Sequence, residues 1–183
     1  MEKSILMGGF GGQGVQTCGK LLIYAANEED QIATFFSEYG GAMRGGTSNC
    51  TVTVSDEEIG APNKQKVDCV VAFNIPSFSK FESRVVPGGT MIVNASLIRE
   101  ELYTRSDITY VGVPANEISE QLGSMKVLNV VMLGFLCRYT GMVKPESARA
   151  MVMKHLAKKP QFIELNNRAF DAGLAEAEKR LSE

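Results

Sequence analysis

The sequence has few of the residues that carry covalent or metal chemistry, and its charge is not concentrated in one sign. Lys and Arg number 19 against 21 Asp and Glu, for a net charge of −2, and no basic block stands out. The electrostatic footprint of a nucleic-acid-binding surface is therefore missing. The four cysteines, Cys18, Cys50, Cys69 and Cys137, are far apart, and each lies in an apolar or strand-like stretch. No pair has CxxC spacing, which argues against an iron–sulfur or zinc site built within the chain and for buried thiols in a reducing cytoplasm. The single histidine, His155, follows Lys154 in an amphipathic pattern with no Asp or Cys at useful spacing, and reads as a surface side chain. With no Ser/His/Asp or Cys/His constellation and no locally paired carboxylates, no catalytic residue and no metal ligand is assigned. Long apolar runs are also lacking: the most apolar stretch, residues 127–137, falls far short of the roughly 20 residues that a membrane-spanning helix requires. Residues 1–4 run straight into the first apolar segment without a charged leader, so no secretion is indicated and a soluble cytoplasmic protein is expected.

What is present is glycine, and it is clustered. Gly8-Gly9-Phe10-Gly11-Gly12-Gln13-Gly14 places five glycines in seven residues directly after the apolar run Ile5-Leu6-Met7. The following residues, 15–27, carry apolar side chains at Val15, Cys18, Leu22 and Ala25/Ala26, the spacing of a helix with one buried stripe. A strand, a glycine turn and a helix in that order predict an anion seat, because the unpaired N–H groups and the positive dipole end of a helix N-terminus favour phosphate.

At 183 residues, 44% hydrophobic and 22% charged, the chain fits one globular domain, residues 1–183. Residues 31–36 read as a second strand, and 37–48 as a long glycine-dense loop. Residues 49–54 alternate, with Cys50, Val52 and Val54 on one face and Thr51 and Thr53 on the other, as in a half-covered strand. Residues 67–73 and 91–93 are continuous apolar runs suited to strands buried on both faces, and 108–113 forms a further strand. Between them, 76–83 suits a short helix and Pro87-Gly88-Gly89 a turn. Helices are predicted over 115–122, 127–140, 145–154 and about 162–181. The second of these is apolar on nearly every side, so it must be covered all round, by its own domain or by a partner. Strands alternating with helices give the expected fold class: α/β, a three-layer α/β/α sandwich, Rossmann-like, with a mostly parallel sheet.

Gly9, Gly11 and Gly14 satisfy GxGxxG between a strand and a helix, and Glu38 lies near the end of the second strand, where a dinucleotide site would place an acid. The motif alone suits a dinucleotide, the phosphate of another ligand, or a tight packing turn without ligand. Gly14 to Lys20 also reads GxxxxGK, but Leu21 stands where a hydroxyl must coordinate magnesium, and that reading is rejected. Gly19 is explained instead by close approach of the helix to the sheet. Arg44, Gly45, Gly46, Thr47 and Ser48 offer a guanidinium, backbone amides and hydroxyls suited to a carboxylate or phosphate, or else form a solvated loop.

Four stretches together resemble the gamma subunit of 2-oxoacid:ferredoxin oxidoreductases: ILMGGFGGQG ending at Gly14, YGGAMRGGTSNCTVTV from Tyr39, NVVMLGFLCRYTG from Asn129 and LNNRAFDAGLAEA from Leu165. The resemblance covers nearly the whole chain and is strongest to the 2-oxoglutarate and branched-chain types. It implies a Rossmann-like domain beside alpha and beta subunits that hold thiamine diphosphate, and a ferredoxin-like delta subunit. Electrons would leave through [4Fe–4S] clusters on those partners, and coenzyme A would take the acyl group. Gly9, Gly11, Gly12, Gln13 and Gly14, with Arg44, Gly45, Gly46, Thr47 and Ser48, are then the residues expected to meet coenzyme A or a neighbouring subunit. The isolated chain is expected to be inactive and able to form a homodimer. The rival expectations are a stand-alone dinucleotide-dependent oxidoreductase using Gly9, Gly11, Gly14 and Glu38, and a non-catalytic scaffold.

Overall fold

The computed structural model describes residues 2–39, 47–61 and 63–182. The apolar run after the N-terminus forms β1 (Glu2–Phe10), which passes through residues 11–13 as one 3-10 turn into α1 (Val15–Glu28). Next come β2 (Ile32–Tyr39), β3 (Thr47–Ser55), β4 (Val67–Ala72), α2 (Ile75–Phe81), β5 (Val85–Asn94) and β6 (Thr109–Val113). The chain ends in α3 (Ala115–Gln121), α4 (Leu128–Thr140), α5 (Pro145–His155) and α6 (Ile163–Leu181).

The six strands form one sheet in the order β2-β3-β1-β4-β5-β6. β1 is parallel to β4, β4 to β5 and β5 to β6, whereas β3 runs antiparallel to both of its neighbours. The sheet is thus mostly parallel, as expected, with one inverted strand.

The layers are unequal. One face carries α1, α3 and α4, with α5 and α6 packed behind, around Val71, Ile92, Phe135 and Phe170. The other carries α2 and the segment around Ile98, over Leu6, Val70 and Met91. α4 owes its full burial to its own domain: the sheet lies beneath it and α6 above, with α1, α3 and α5 alongside. α4 and α6 approach until the glycines are necessary. A Cβ on Gly134 would lie 2.4 Å from the Phe170 carbonyl oxygen, and one on Gly173 would lie 2.1 Å from that of Val131. Gly19 serves α1 in the same way, since a Cβ there would meet Cys50 Sγ and the Phe35 ring at 2.7 Å.

Three expectations need correction. β3 is not half-covered: Thr51 and Thr53 are as buried as Cys50 and Val52. The expected loop over 37–48 is shorter, because β2 runs on to Tyr39 and β3 begins at Thr47. Pro87-Gly88-Gly89 is no free turn but lies inside β5, where the register jumps from Val67↔Val85 to Cys69↔Thr90. A bulge absorbs the extra residues there, and Gly88 supplies the positive φ of 77°.

Candidate functional site around the glycine loop

The two glycine-rich motifs meet at one end of the sheet. Because β3 is antiparallel to β1, its first residues lie beside the last residues of β1: Gly9 pairs with Ser48 and Phe10 with Thr47. Arg44, Gly45 and Gly46 fall outside the described residues. The strands that flank their loop nonetheless end at this carboxyl edge, where ligands of open α/β sheets bind.

The loop itself is built from inside. Gly8 and Gly9 belong to the strand, and each needs to be glycine for space: a Cβ on Gly8 would meet the Phe81 ring at 2.7 Å, and one on Gly9 the Val15 side chain at 2.7 Å. Gly14 caps α1 at φ 75°, in the left-handed region, with Asn129 Nδ2 only 2.5 Å from where a Cβ would stand. Gly11 and Gly12 face open space. Gln13 turns its carboxamide inward. Its Oε1 accepts from the Phe10 N–H at 2.7 Å and from Asn74 Nδ2 at 2.9 Å, while Asn74 Oδ1 caps α2 by accepting from the Ser77 N–H. The Gln13 carboxamide oxygen is thereby engaged by the protein itself.

Behind the loop stands a layer of amides. Gln16 Nε2 donates to Ser48 Oγ at 3.0 Å and to the Asn49 carbonyl at 2.8 Å. Fully buried Asn94 donates to Asn116 Oδ1 at 2.8 Å and to the Phe73 carbonyl at 3.3 Å, and its own Oδ1 meets no donor among the described residues. Thr47 Oγ1 accepts from Lys80 Nζ at 3.2 Å. Thr47 and Ser48 therefore lie beside the glycine loop as expected, with their hydroxyls already engaged.

In front of the loop is a cavity of about 400 Å³, lined by Gly12, Gln13, Gly14, Asn116, Lys126 and Asn129 among others. Among the described residues Lys126, at the entrance to α4, is its one charged lining residue, and sequence reasoning missed it. The asparagines were missed as well, although Asn74 and Asn94 each follow closely on a buried apolar run, where a strand's carboxyl end must fall. Around the loop Phe10, Ile75, Leu97 and Met125 are exposed, each at 39% or more.

Glu38 does not complete a dinucleotide site. It is exposed and pairs with Asn49, so β3 separates its strand from β1. Two strand spacings put it roughly 9–10 Å from β1. All four cysteines are buried as free thiols, and no three His, Cys, Asp or Glu side chains among the described residues are placed to hold a metal ion. Burial pushes Cys50 and Cys69 up to about 12, and Cys18 and Cys137 are raised by the same cause. Thiols held protonated in this way are poor nucleophiles. His155 is exposed, as expected, and no helix among the described residues is long and apolar enough to cross a membrane.

A family model described as pyruvate ferredoxin/flavodoxin oxidoreductase matches residues 4–176. The chain is 34% identical over 182 residues to ketoisovalerate oxidoreductase subunit VorA of Methanothermobacter marburgensis, a match covering 98% of this chain and 37% of that protein. It is also 34% identical over 175 residues to 2-oxoglutarate synthase subunit KorC of Methanocaldococcus jannaschii, covering 94% of this chain and 92% of that one. The chain thus spans little more than a third of VorA and nearly the whole of KorC. Among solved structures, a keto/oxoacid ferredoxin oxidoreductase gamma subunit from Geobacter sulfurreducens superposes with a TM-score of 0.85 at 27% identity, over 97% of both chains. The 2-oxoglutarate:ferredoxin oxidoreductase from Magnetococcus marinus shares the fold at a TM-score of 0.91 and 20% identity, over 97% of this chain and 31% of that one.

Proposed function

Because the chain belongs to the pyruvate ferredoxin/flavodoxin oxidoreductase family, we propose that it is the gamma subunit of a 2-oxoacid:ferredoxin oxidoreductase, with 2-oxoglutarate as the 2-oxoacid. The observation that carries this reading is the near end-to-end match to KorC, a 2-oxoglutarate synthase subunit. The reaction would be a cytoplasmic oxidative decarboxylation: the 2-oxoacid loses CO2, its acyl group passes to the coenzyme A sulfur, and two electrons reach ferredoxin. Thiamine diphosphate and the [4Fe–4S] clusters would belong to alpha, beta and delta subunits, a division supported by the lack of any metal-binding group of His, Cys, Asp or Glu side chains among the described residues.

Within that assembly the glycine loop is a seat for coenzyme A phosphate. The open backbone at Gly11 and Gly12, the N-terminus of α1 and the cation of Lys126 support this role. Arg44 would join from the neighbouring loop, with Gly45 and Gly46 allowing close approach. Thr47 and Ser48 position that loop through Lys80 and Gln16. A second role is favoured by the exposed Phe10, Ile75, Leu97 and Met125: the same edge docks against a neighbouring subunit, which would close the cavity.

Native mass spectrometry of the chain purified anaerobically from its source tests the reading. The expected result is a fixed ratio with thiamine-diphosphate and iron–sulfur subunits. A free chain carrying NAD or a flavin would overturn it. In the assembled enzyme, Arg44→Ala should raise the coenzyme A KM or weaken assembly, and a variant normal in both would remove Arg44 from the site.

A further inference from the structure

A second cavity, of about 260 Å³, opens on the helical face between α1, the start of α4, α5 and α6. Its floor is apolar, with Val130, Val152 and Leu165 among the side chains, and Phe162, 41% exposed, stands at its edge. Its charged or titratable lining residues are Lys126, His155 and Lys159; no Asp or Glu lines it. Neither lysine has a carboxylate partner among the described residues. The neighbouring cavity between α1 and α5 differs on this point, because Lys154 there faces Glu28 at 3.6 Å.

An apolar floor under an uncompensated basic rim selects a ligand with both features. We propose that this cavity binds a small amphipathic carboxylate, with its acyl or aryl body on the Val130–Val152–Leu165 floor and its carboxylate at Lys126, His155 and Lys159. The volume lies below the range usual for drug-sized ligands, which limits the body to about six to ten carbons. Inorganic phosphate would satisfy the rim and leave the floor wet, and an alcohol would fill the floor and leave the cations unpaired. Asn166, 9% exposed, lines the cavity and donates to the Phe162 carbonyl at 2.8 Å, fixing the turn that carries the aromatic edge. Lys126 and Asn129 form a wall common to this cavity and the one at the glycine loop. His155, Lys159 and the Val130–Val152–Leu165 floor line this cavity and not the one at the glycine loop, so binding here can be read separately from the proposed coenzyme A seat.

The test is a titration of the intact chain with octanoate, read from the methyl NMR signals of Val130, Val152 and Leu165. Saturable shifts are expected in the low millimolar range or tighter, the affinity open to a ligand of about ten non-hydrogen atoms. Octanol and inorganic phosphate at the same concentrations should not reproduce them. Lys159 is exposed and lines only this cavity of the two, so Lys159→Glu should weaken octanoate at least tenfold and Lys159→Arg should restore it, with unchanged remote signals reporting an intact fold. The proposal fails if octanoate produces no saturable shift, if octanol matches it, if Lys159→Glu binds equally well, or if the shifts fall on Gly12 to Gly14 instead. None of these outcomes depends on a partner subunit, so failure here and failure of the enzyme assignment are distinguishable.

Discussion

Two substitutions at Gln13 separate the architecture of the glycine loop from its proposed chemistry. The Gln13 carboxamide oxygen accepts from Phe10 N–H and Asn74 Nδ2, tying the loop to β1 and to the cap of α2. Gln13→Ala removes both bonds. Each is worth about 0.5–1.5 kcal/mol net, and the solvent-accessible Phe10 bond belongs at the lower end, so a loss of about 1–2 kcal/mol is expected. In a chain of this size that lowers Tm by about 2–8 °C. Gln13→Glu behaves differently, because a carboxylate still accepts from both donors and its charge lies near the N-terminus of α1, where an anion is favoured by about 0.3–1 kcal/mol. Stability should therefore be retained. The added charge opposes a phosphate, however: at a separation of about 8 Å the repulsion is about 0.5 kcal/mol in water-like surroundings and about 2 kcal/mol at an effective dielectric of 20. The coenzyme A KM of the assembled enzyme should rise about 2- to 30-fold, while the denaturation midpoint of the isolated chain stays near wild type. An alanine variant as stable as wild type would refute the loop architecture. A glutamate variant with normal stability and an unchanged KM would refute the anion seat.

Gly14→Ala forces a left-handed backbone on a residue with a Cβ, at about 1–2 kcal/mol, and pushes Asn129 aside; both thermal stability and coenzyme A affinity should fall together. Gly173→Ala drives a methyl into the Val131 carbonyl and must part α4 from α6, so a loss of about 3 kcal/mol or more is expected, read as a Tm lowered by at least about 6 °C. The native chain should resist thiol reagents at pH 8 and expose four reactive thiols in denaturant. The same thiols predict alkaline instability. Their folded pKa values are raised by burial, to about 12 for Cys50 and Cys69, so between pH 9 and 12 the unfolded chain loses protons that the folded chain keeps. The thiol contribution should be constant below pH 8, and stability should then fall by up to ~1.4 kcal/mol per pH unit for each thiol, as measured by urea midpoints; a profile flat from pH 8 to pH 11 would contradict the burial.

The parts of the fold written in local periodicity were readable without coordinates. Val15, Cys18, Leu22 and Ala25 mark the buried stripe of α1, and all are buried in it. The unbroken apolar surface of α4 announced a helix covered on every side, although only the structure identifies α6 as the cover. The direction of β3 was not legible, because alternation along a strand is the same whichever way it runs. Direction depends on the connection. Ser37 and Glu38 look like loop residues but are tolerated in β2, which lies at the edge of the sheet, and their inclusion leaves only residues 40–46 before β3. That is too few for the crossover that parallel neighbours require. At the site, the glycine motif was visible because its residues are contiguous. Lys126, Asn74, Asn94 and Asn116 were not, because four separate connections bring them to one edge.

The inverted strand also bears on the choice between functions. In a dinucleotide fold the strand beside β1 runs parallel to it and delivers an acid to the same crevice from its carboxyl end. Here that position is taken by β3, which brings its amino end, Thr47 and Ser48, to Phe10 and Gly9. The carboxyl edge beside β1 therefore lacks the acid, since Glu38 is displaced by one strand. Without that acid the edge lacks the usual partner for a dinucleotide's ribose hydroxyl. The remaining apolar side chains at this edge, Phe10, Ile75, Leu97 and Met125, would then be left in water in a stand-alone enzyme, at a cost of roughly 25 cal/mol for each Å² that a partner would otherwise cover. An α1 N-terminus open to a phosphate suits either ligand, but the missing ribose-binding acid and the exposed apolar side chains at the same edge favour a subunit that meets its neighbours there over a stand-alone dinucleotide enzyme.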